Sequence, residues 1–297
     1  VIDKHLPNAH TYADDTLIYH SFRPDTSLSQ DAALKSIENC VADIRAWMLS
    51  NRLLINDSKT EFIIIGSKQQ MSKININEIT VGKSTIEPVE VVQSLGMWFD
   101  SHMSMDIHIG KVCSKAFRSL YNIRQIRKFL SEDTTKIFVH AFVTSHLDYC
   151  NSLFYCFPQS QYDRLQRVLN AAARVVCLIP KFDHITPVLI GLHWLPVRYR
   201  VIFKILLLVY KALHANAPPY ISDLLTPKHI GCYSHRSNEH NLLIVPKTMR
   251  KTFDDRAFAK AGPFLWNELP ADIREASTVE TFKSRLKTFL FRKAFYL

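Results

Sequence analysis

The sequence predicts an α+β protein: a small unit of short strands and helices to about Asp100, then a long, mostly helical region. Three observations carry that expectation. Glycine is scarce, 7 of 297 residues, which argues for helices over turn-rich β architecture. Short β-favouring runs bounded by turn residues fall before residue 100. From Asp106 onward, apolar residues recur at helical spacing in segment after segment.

Taken in order, residues 10–22 (HTYADDTLIYHSF) read as two short strands around a tight turn at Asp14 and Asp15, with Tyr12 and Leu17–Tyr19 flanking it. A helix follows, with Ser27 and Gln30 at capping-box spacing and an apolar stripe at Ala33, Ile37, Val41, Ile44 and Met48. Asn51 to Asp57 ends it. EFIIIG then reads as a buried strand closing at Gly66, with further short strands at Ile74–Ile76, Thr80–Val81 and Val91–Phe99. Beyond Asp100, helices are expected over Asp106–Leu130, Glu132–Leu147, Pro158–Ile179, Val197–Ala215 and Val279–Phe295, several bounded by proline. The polar stretch Thr226–Asn241 reads as a linker. The expected division is therefore 1–100, 101–225 and 226–297.

Composition narrows the partners. The net charge is +10, and polyanions are the natural counterparts of such a surface. Lys111, Lys115 and Arg118 fall opposite the apolar stripe of their helix, where they could track a phosphate backbone or simply face water. The six cysteines are widely spaced and lie mostly in apolar segments, the pattern of buried thiols in a reducing compartment rather than a disulfide framework. No membrane span is expected, because the most apolar run, Val201–Leu213, is short and carries Lys204 and Lys211. The expected setting is intracellular, nuclear or cytoplasmic.

Asp14 and Asp15 are the first chemical candidates. Adjacent carboxylates repel, and a hairpin turn projects short side chains with little freedom, which suits a hard cation. An acidic turn also needs no ligand, so the tetrad alone decides nothing. His229, Cys232, His235 and His240 invite a zinc reading, but they lack the Cys-x₂₋₄-Cys pair of strong sites, and zinc is not expected. His140, His146 and His193 stand among apolar residues and read as packed. No serine lies in a Gly-x-Ser-x-Gly setting, so there is no hydrolase case.

The order of motifs is more specific than any one of them. Tyr12-Ala13-Asp14-Asp15, then AWMLSNRLLINDSKTEFIII, then VQSLGMWFD, resembles the palm of reverse transcriptases of non-LTR (LINE-type) retrotransposons, in their Jockey-like branch. Trp47, Asn51, Leu53, Asn56, Lys59-Thr60-Glu61 and Leu95-Gly96 carry the match, which continues through LDYCNSLFY, LQRVLNAAARVV, LHWLPVRYRVIFKILLLVYKAL and RAFAKAGPFLWNELPADIR to FKSRLKTFLF. The resemblance implies a truncated polymerase palm, a helical thumb and a C-terminal helical extension. It implies that Asp14 and Asp15 bind Mg²⁺ or Mn²⁺, Asp14 foremost. Tyr12 and Ala13 would face primer and nucleotide, Leu95 and Gly96 would grip the primer end, and Lys59 would sit near the leaving pyrophosphate. RNA template and DNA primer are the implied partners.

In that family a further aspartate and the fingers lie upstream of the turn, whereas only eleven residues precede Tyr12 here and Asp3 is too close to the turn to serve. The chain is therefore expected to be a fragment that binds nucleic acid without polymerising alone. The competing expectation is a non-catalytic helical binding module from a decayed or repurposed element. Oligomeric state is not legible.

Overall fold

The computed structural model describes residues 9–228, 241–248 and 254–296. The chain forms two compact units, Val1–His108 and Ile109–Leu297. It is mixed α+β, and among the described residues the strands form three separate antiparallel two-stranded sheets.

In the first unit, β1 (Ala9–Tyr12) pairs with β2 (Asp15–Ile18), register Ala9↔Ile18 to Tyr12↔Asp15. Helix α1 (Ser27–Ser50) follows. Its cap is Thr26, one residue before the expected Ser27: the Thr26 hydroxyl accepts from Ser29 N at 3.3 Å. Gln30 is not part of a capping box but is buried. Its Nε2 donates to Pro24 O (3.0 Å) and Lys73 O (2.9 Å), and its Oε1 accepts from Asn75 N at 3.0 Å. A polar side chain can occupy that position because each side of its amide is satisfied. Cys40 and Ile44 form a small core, against which Ile18, Ile37, Met48 and Ile55 pack.

β3 (Ile79–Val81) and β4 (Ser84–Ile86) form the second hairpin, and β5 (Val91–Ser94) and β6 (Met97–Asp100) the third. Thr80 N donates to Glu38 Oε1 of α1 at 2.9 Å, and Ile79 and Val81 are buried. Arg45 of α1 pairs with Asp57 and lies across the β3–β4 turn at Gly82. Gly82 has φ +65, and an added Cβ would meet the Arg45 guanidinium at 2.5 Å. Glycine is favoured there by the backbone conformation, and any side chain would also have to displace the Arg45 guanidinium.

The expected strand at EFIIIG does not form. Phe62 makes one isolated bridge with Pro88, and Ile64 is buried while Ile65 is exposed. A strand is defined by a ladder, and a proline opposite supplies no N–H to extend one. Ile74–Ile76 likewise runs as irregular chain. Asp100 closes the unit's last loop. Its carboxylate accepts from His102 N, Ser104 N, Ser104 Oγ and Met105 N, at 2.7–3.1 Å. Burial works against its charge, but these donors win and hold it below the usual carboxylate range.

Helix α2 (Asp106–Ile126) runs from the first unit's last residues into the second. Ile109, Ala116, Leu120 and Ile123 make its buried stripe. The second unit continues with α3 (Glu132–Val139), capped by Ser131, whose hydroxyl accepts from Thr134 N at 3.1 Å, with Glu132 and Asp133 in its first turn. A π-helical turn, His140–Thr144, then leads to a short helical turn, Ser145–Asp148. Next come α4 (Gln159–Cys177), α5 (Thr186–Gly191), α6 (Val197–Leu213), α7 (Phe258–Asn267) and α8 (Val279–Phe295).

The core of this unit lies where α6, α7 and α8 meet. Tyr210, Trp266 and Phe282 are fully buried, with the Tyr210 and Phe282 rings stacked at 4.2 Å. Tyr210 Oη donates to Ala276 O at 2.7 Å, which satisfies the one polar atom of that ring. Gly262 of α7 faces Val209 of α6 so closely that an added Cβ would stand 2.9 Å from its Cγ2. Helices α6, α7 and α8 lie in one compact unit. His193–Pro196 and Leu265–Pro270 both join helices, with Trp194, Leu195, Leu265 and Leu269 buried. His140 and His193, both expected to be packed, are both exposed. The His140 ring lies 5.4 Å from Trp194 with its Nδ1 3.1 Å from Thr144 Oγ1, and His193, at φ 52, has its ring 5.6 Å from Phe291.

Among the described residues no helix is long and apolar enough to cross a membrane. Five described cysteines are free thiols. Only Cys40 is fully buried and Cys156 is exposed, so the expected pattern of buried thiols holds at one position and fails at others.

Candidate functional site

The β1–β2 hairpin turns over two residues, Ala13 and Asp14, between Tyr12 and Asp15. Ala13 takes φ 53, the left-handed conformation that a two-residue hairpin demands and that glycine meets without strain. Directly opposed residues share a face, so Tyr12 and Asp15 project together with His10, Leu17 and Tyr19. The His10 and Tyr19 rings stack at 5.9 Å on that face. Ile18 points the other way, onto the Cys40–Ile44 core of α1. The face bearing Tyr12 and Asp15 is therefore turned outward: Tyr12 is 69% exposed, and Asp14 and Asp15 are exposed as well.

Leu95 and Gly96 form the tip of the β5–β6 hairpin, at φ 46 and φ 79 between the opposed pair Ser94 and Met97. Positive φ at both central positions is the turn whose twist matches the flanking strands. Lys59 ends a single 3₁₀ turn, Asp57–Lys59, that is capped by Asn56, whose Oδ1 accepts from Ser58 N at 3.1 Å. Lys59 is exposed, and among the described residues no ion pair joins it to Asp14 or Asp15. The Asn51 side chain donates to Trp47 O at 2.8 Å and so finishes α1. Lys111, Lys115 and Arg118 lie exposed on α2, away from its buried stripe, as one row along the helix.

Among the described residues no group of three metal-ligating side chains forms. The pair Asp14 and Asp15 offers two exposed carboxylates at the turn. It does not by itself complete a two-ion centre. The four residues considered for zinc, His229, Cys232, His235 and His240, lie outside the described residues.

Sequence reading passed over a second concentration of charge. Arg124 and Arg127 of α2 and its 3₁₀ continuation, Arg167 and Arg174 of α4, and Lys181 line one cavity of about 820 Å³. The signal was present as cations three apart on one segment and seven apart on the next, both helical same-face spacings. Which faces would meet was not legible.

Comparison with protein-family models, with curated proteins and with solved structures finds no match to this chain.

Proposed function

We propose that this chain is part of an RNA-directed DNA polymerase of the non-LTR retrotransposon kind, a reverse transcriptase, and that it contributes nucleic-acid binding and part of the catalytic site. The observation that carries the reading is the order of the motifs, headed by a Tyr-Ala-Asp-Asp tetrad that sits in a two-residue turn with Tyr12 and Asp15 side by side on a solvent face. The collinear motifs downstream support it, as does the tight Leu95-Gly96 hairpin tip.

In this reading Asp14 and Asp15 hold a divalent ion, which supplies charge neutralisation at the reacting phosphate. Tyr12, on the same face as Asp15, lies against primer or incoming nucleotide. Lys59 stabilises negative charge on departing pyrophosphate, the task an ammonium performs best when aimed at developing charge. Lys111, Lys115 and Arg118 follow a phosphate backbone along α2. With no third carboxylate beside the pair among the described residues, the chain binds a primer–template without extending it.

The test has two parts. Primer extension by the chain with Mg²⁺ on an RNA template should give no product, and robust extension would overturn the partial-site assignment. An RNA/DNA duplex should bind with an affinity that falls steeply with salt, and Lys115→Gln should lower the log–log salt slope by about 1. Absence of duplex binding would overturn the polymerase reading and leave a non-catalytic helical module that engages another partner.

A further inference from the structure

The cavity between α2 and α4 is unusual in its charge. Five of its lining side chains, Arg124, Arg127, Arg167, Arg174 and Lys181, are cationic, and none is a carboxylate. Like charges gathered in one concavity repel, and low-dielectric walls strengthen that repulsion. An ion pair would ordinarily relieve it, yet no described acid lines this space.

Backbone carbonyls hold two of these arginines in place. Carbonyls at and beyond the end of α4 are orphaned by the helix and carry its negative pole. Arg127 covers two of them, with Nε to Val175 O at 2.9 Å and Nη2 to Val176 O at 2.8 Å, while its Nη1 donates to Leu130 O at 2.7 Å. Arg174 covers two more in the following loop, Pro180 O at 3.2 Å and Asp183 O at 3.0 Å. These bonds fix both guanidinium planes without neutralising them. A guanidinium has five N–H donors, so both arginines keep donors in hand. Arg127 is buried, whereas Arg124, Arg167 and Lys181 are exposed at the rim. Asn170 adds an uncharged amide to the lining. The result is a pair of hydrogen-bonded guanidinium groups with three exposed cations beside them, an arrangement that suits a multidentate oxyanion.

We propose that this cavity is a binding site for a phosphate group, presented either by a small phosphate compound or by a polynucleotide backbone. Arg127 and Arg174 supply oriented N–H donors, and Arg124, Arg167 and Lys181 close over the ligand. The site belongs wholly to the second unit and does not depend on Asp14, Asp15 or the polymerase reading.

The experiment is calorimetric titration of the intact chain with inorganic pyrophosphate in EDTA, so that no metal-bridged site at the aspartates contributes. Arg124→Gln/Arg167→Gln removes two exposed cations without touching the buried Arg127. Lys287→Gln/Arg292→Gln removes two exposed cations on α8 as a charge-matched control. The expected result is binding that weakens at least tenfold in the first variant and less than twofold in the control. Equal weakening in both, or no binding by the unmodified chain, overturns the proposal. In a competition arm, a single-stranded oligonucleotide that displaces pyrophosphate assigns the ligand to a polymer backbone. Failure to displace assigns it to a small phosphate compound.

Discussion

Replacing Gly262 by alanine sets two effects of known sign against each other. In an α-helix, alanine is favoured over glycine by about 1 kcal/mol. At Gly262, however, the new methyl would lie 2.9 Å from Val209 Cγ2, inside any ordinary carbon–carbon contact. Val209 is fully buried, and forcing an extra methyl into a filled core costs about 1–3 kcal/mol. The net expectation is a loss of about 0–2 kcal/mol. Val209→Ala removes the offending methyl and by itself costs about 2 kcal/mol, from two buried carbons and the space they leave.

The informative comparison is Gly262→Ala in that background. Its remaining neighbours, Phe258 Cε2 at 3.6 Å and Leu225 Cδ2 at 3.7 Å, are at normal contact distance. The substitution should then become stabilising by about 1 kcal/mol, reversing its sign. Urea unfolding of the four proteins, followed by tryptophan fluorescence to report on Trp266 in this core, measures the cycle. Additive effects, with Gly262→Ala equally unfavourable in both backgrounds, would refute the claim that α6 and α7 meet at this pair.

Two further outcomes follow from the same structure. Tyr210→Phe should cost about 1–3 kcal/mol in the same denaturation assay, because it strands the Ala276 carbonyl in the core; a neutral result would mean that carbonyl has found another donor. Stability should fall as pH drops below about 6.5, since burial lowers the pKa of His108, His140 and His146, with Arg200 adding at His140 and Lys115 at His146. The unfolded chain then binds more protons than the native one, so stability is present above the unfolded histidine pKa and lost on the way down. Melting temperatures from pH 7.5 to 5.5 should decline less in His140→Asn, and an unchanged slope would refute that assignment.

What the sequence by itself determined was local. The apolar stripes of α2, α4, α6 and α8 are visible as helical spacing, because every backbone bond of a helix closes within its own segment. The end points of Val279–Phe295 agree with the structure for that reason. The first hairpin is equally local, although its turn falls at Ala13-Asp14, one residue before the expected Asp14-Asp15. Val91–Phe99, expected as one short strand, folds back at Leu95-Gly96 as only the resemblance implied. The order of the polymerase-like motifs is a property of the sequence too, and the proposal of function rests mainly on it.

Tertiary structure decided whatever needed a partner distant in sequence. EFIIIG has the composition of a strand, but a strand exists only where another offers a ladder, and here it meets a proline. Gln30 reads as a capping-box residue until Lys73 and Asn75 arrive to satisfy its amide in the interior. The solvent-facing aspect of Tyr12 and Asp15 was set by Ile18 choosing the α1 core, since strand alternation leaves open which face is buried. The arginine cavity is the clearest case. Its cations come from separate segments that are each unremarkable, and only the packing of α4 beside Arg127 turns them into one site.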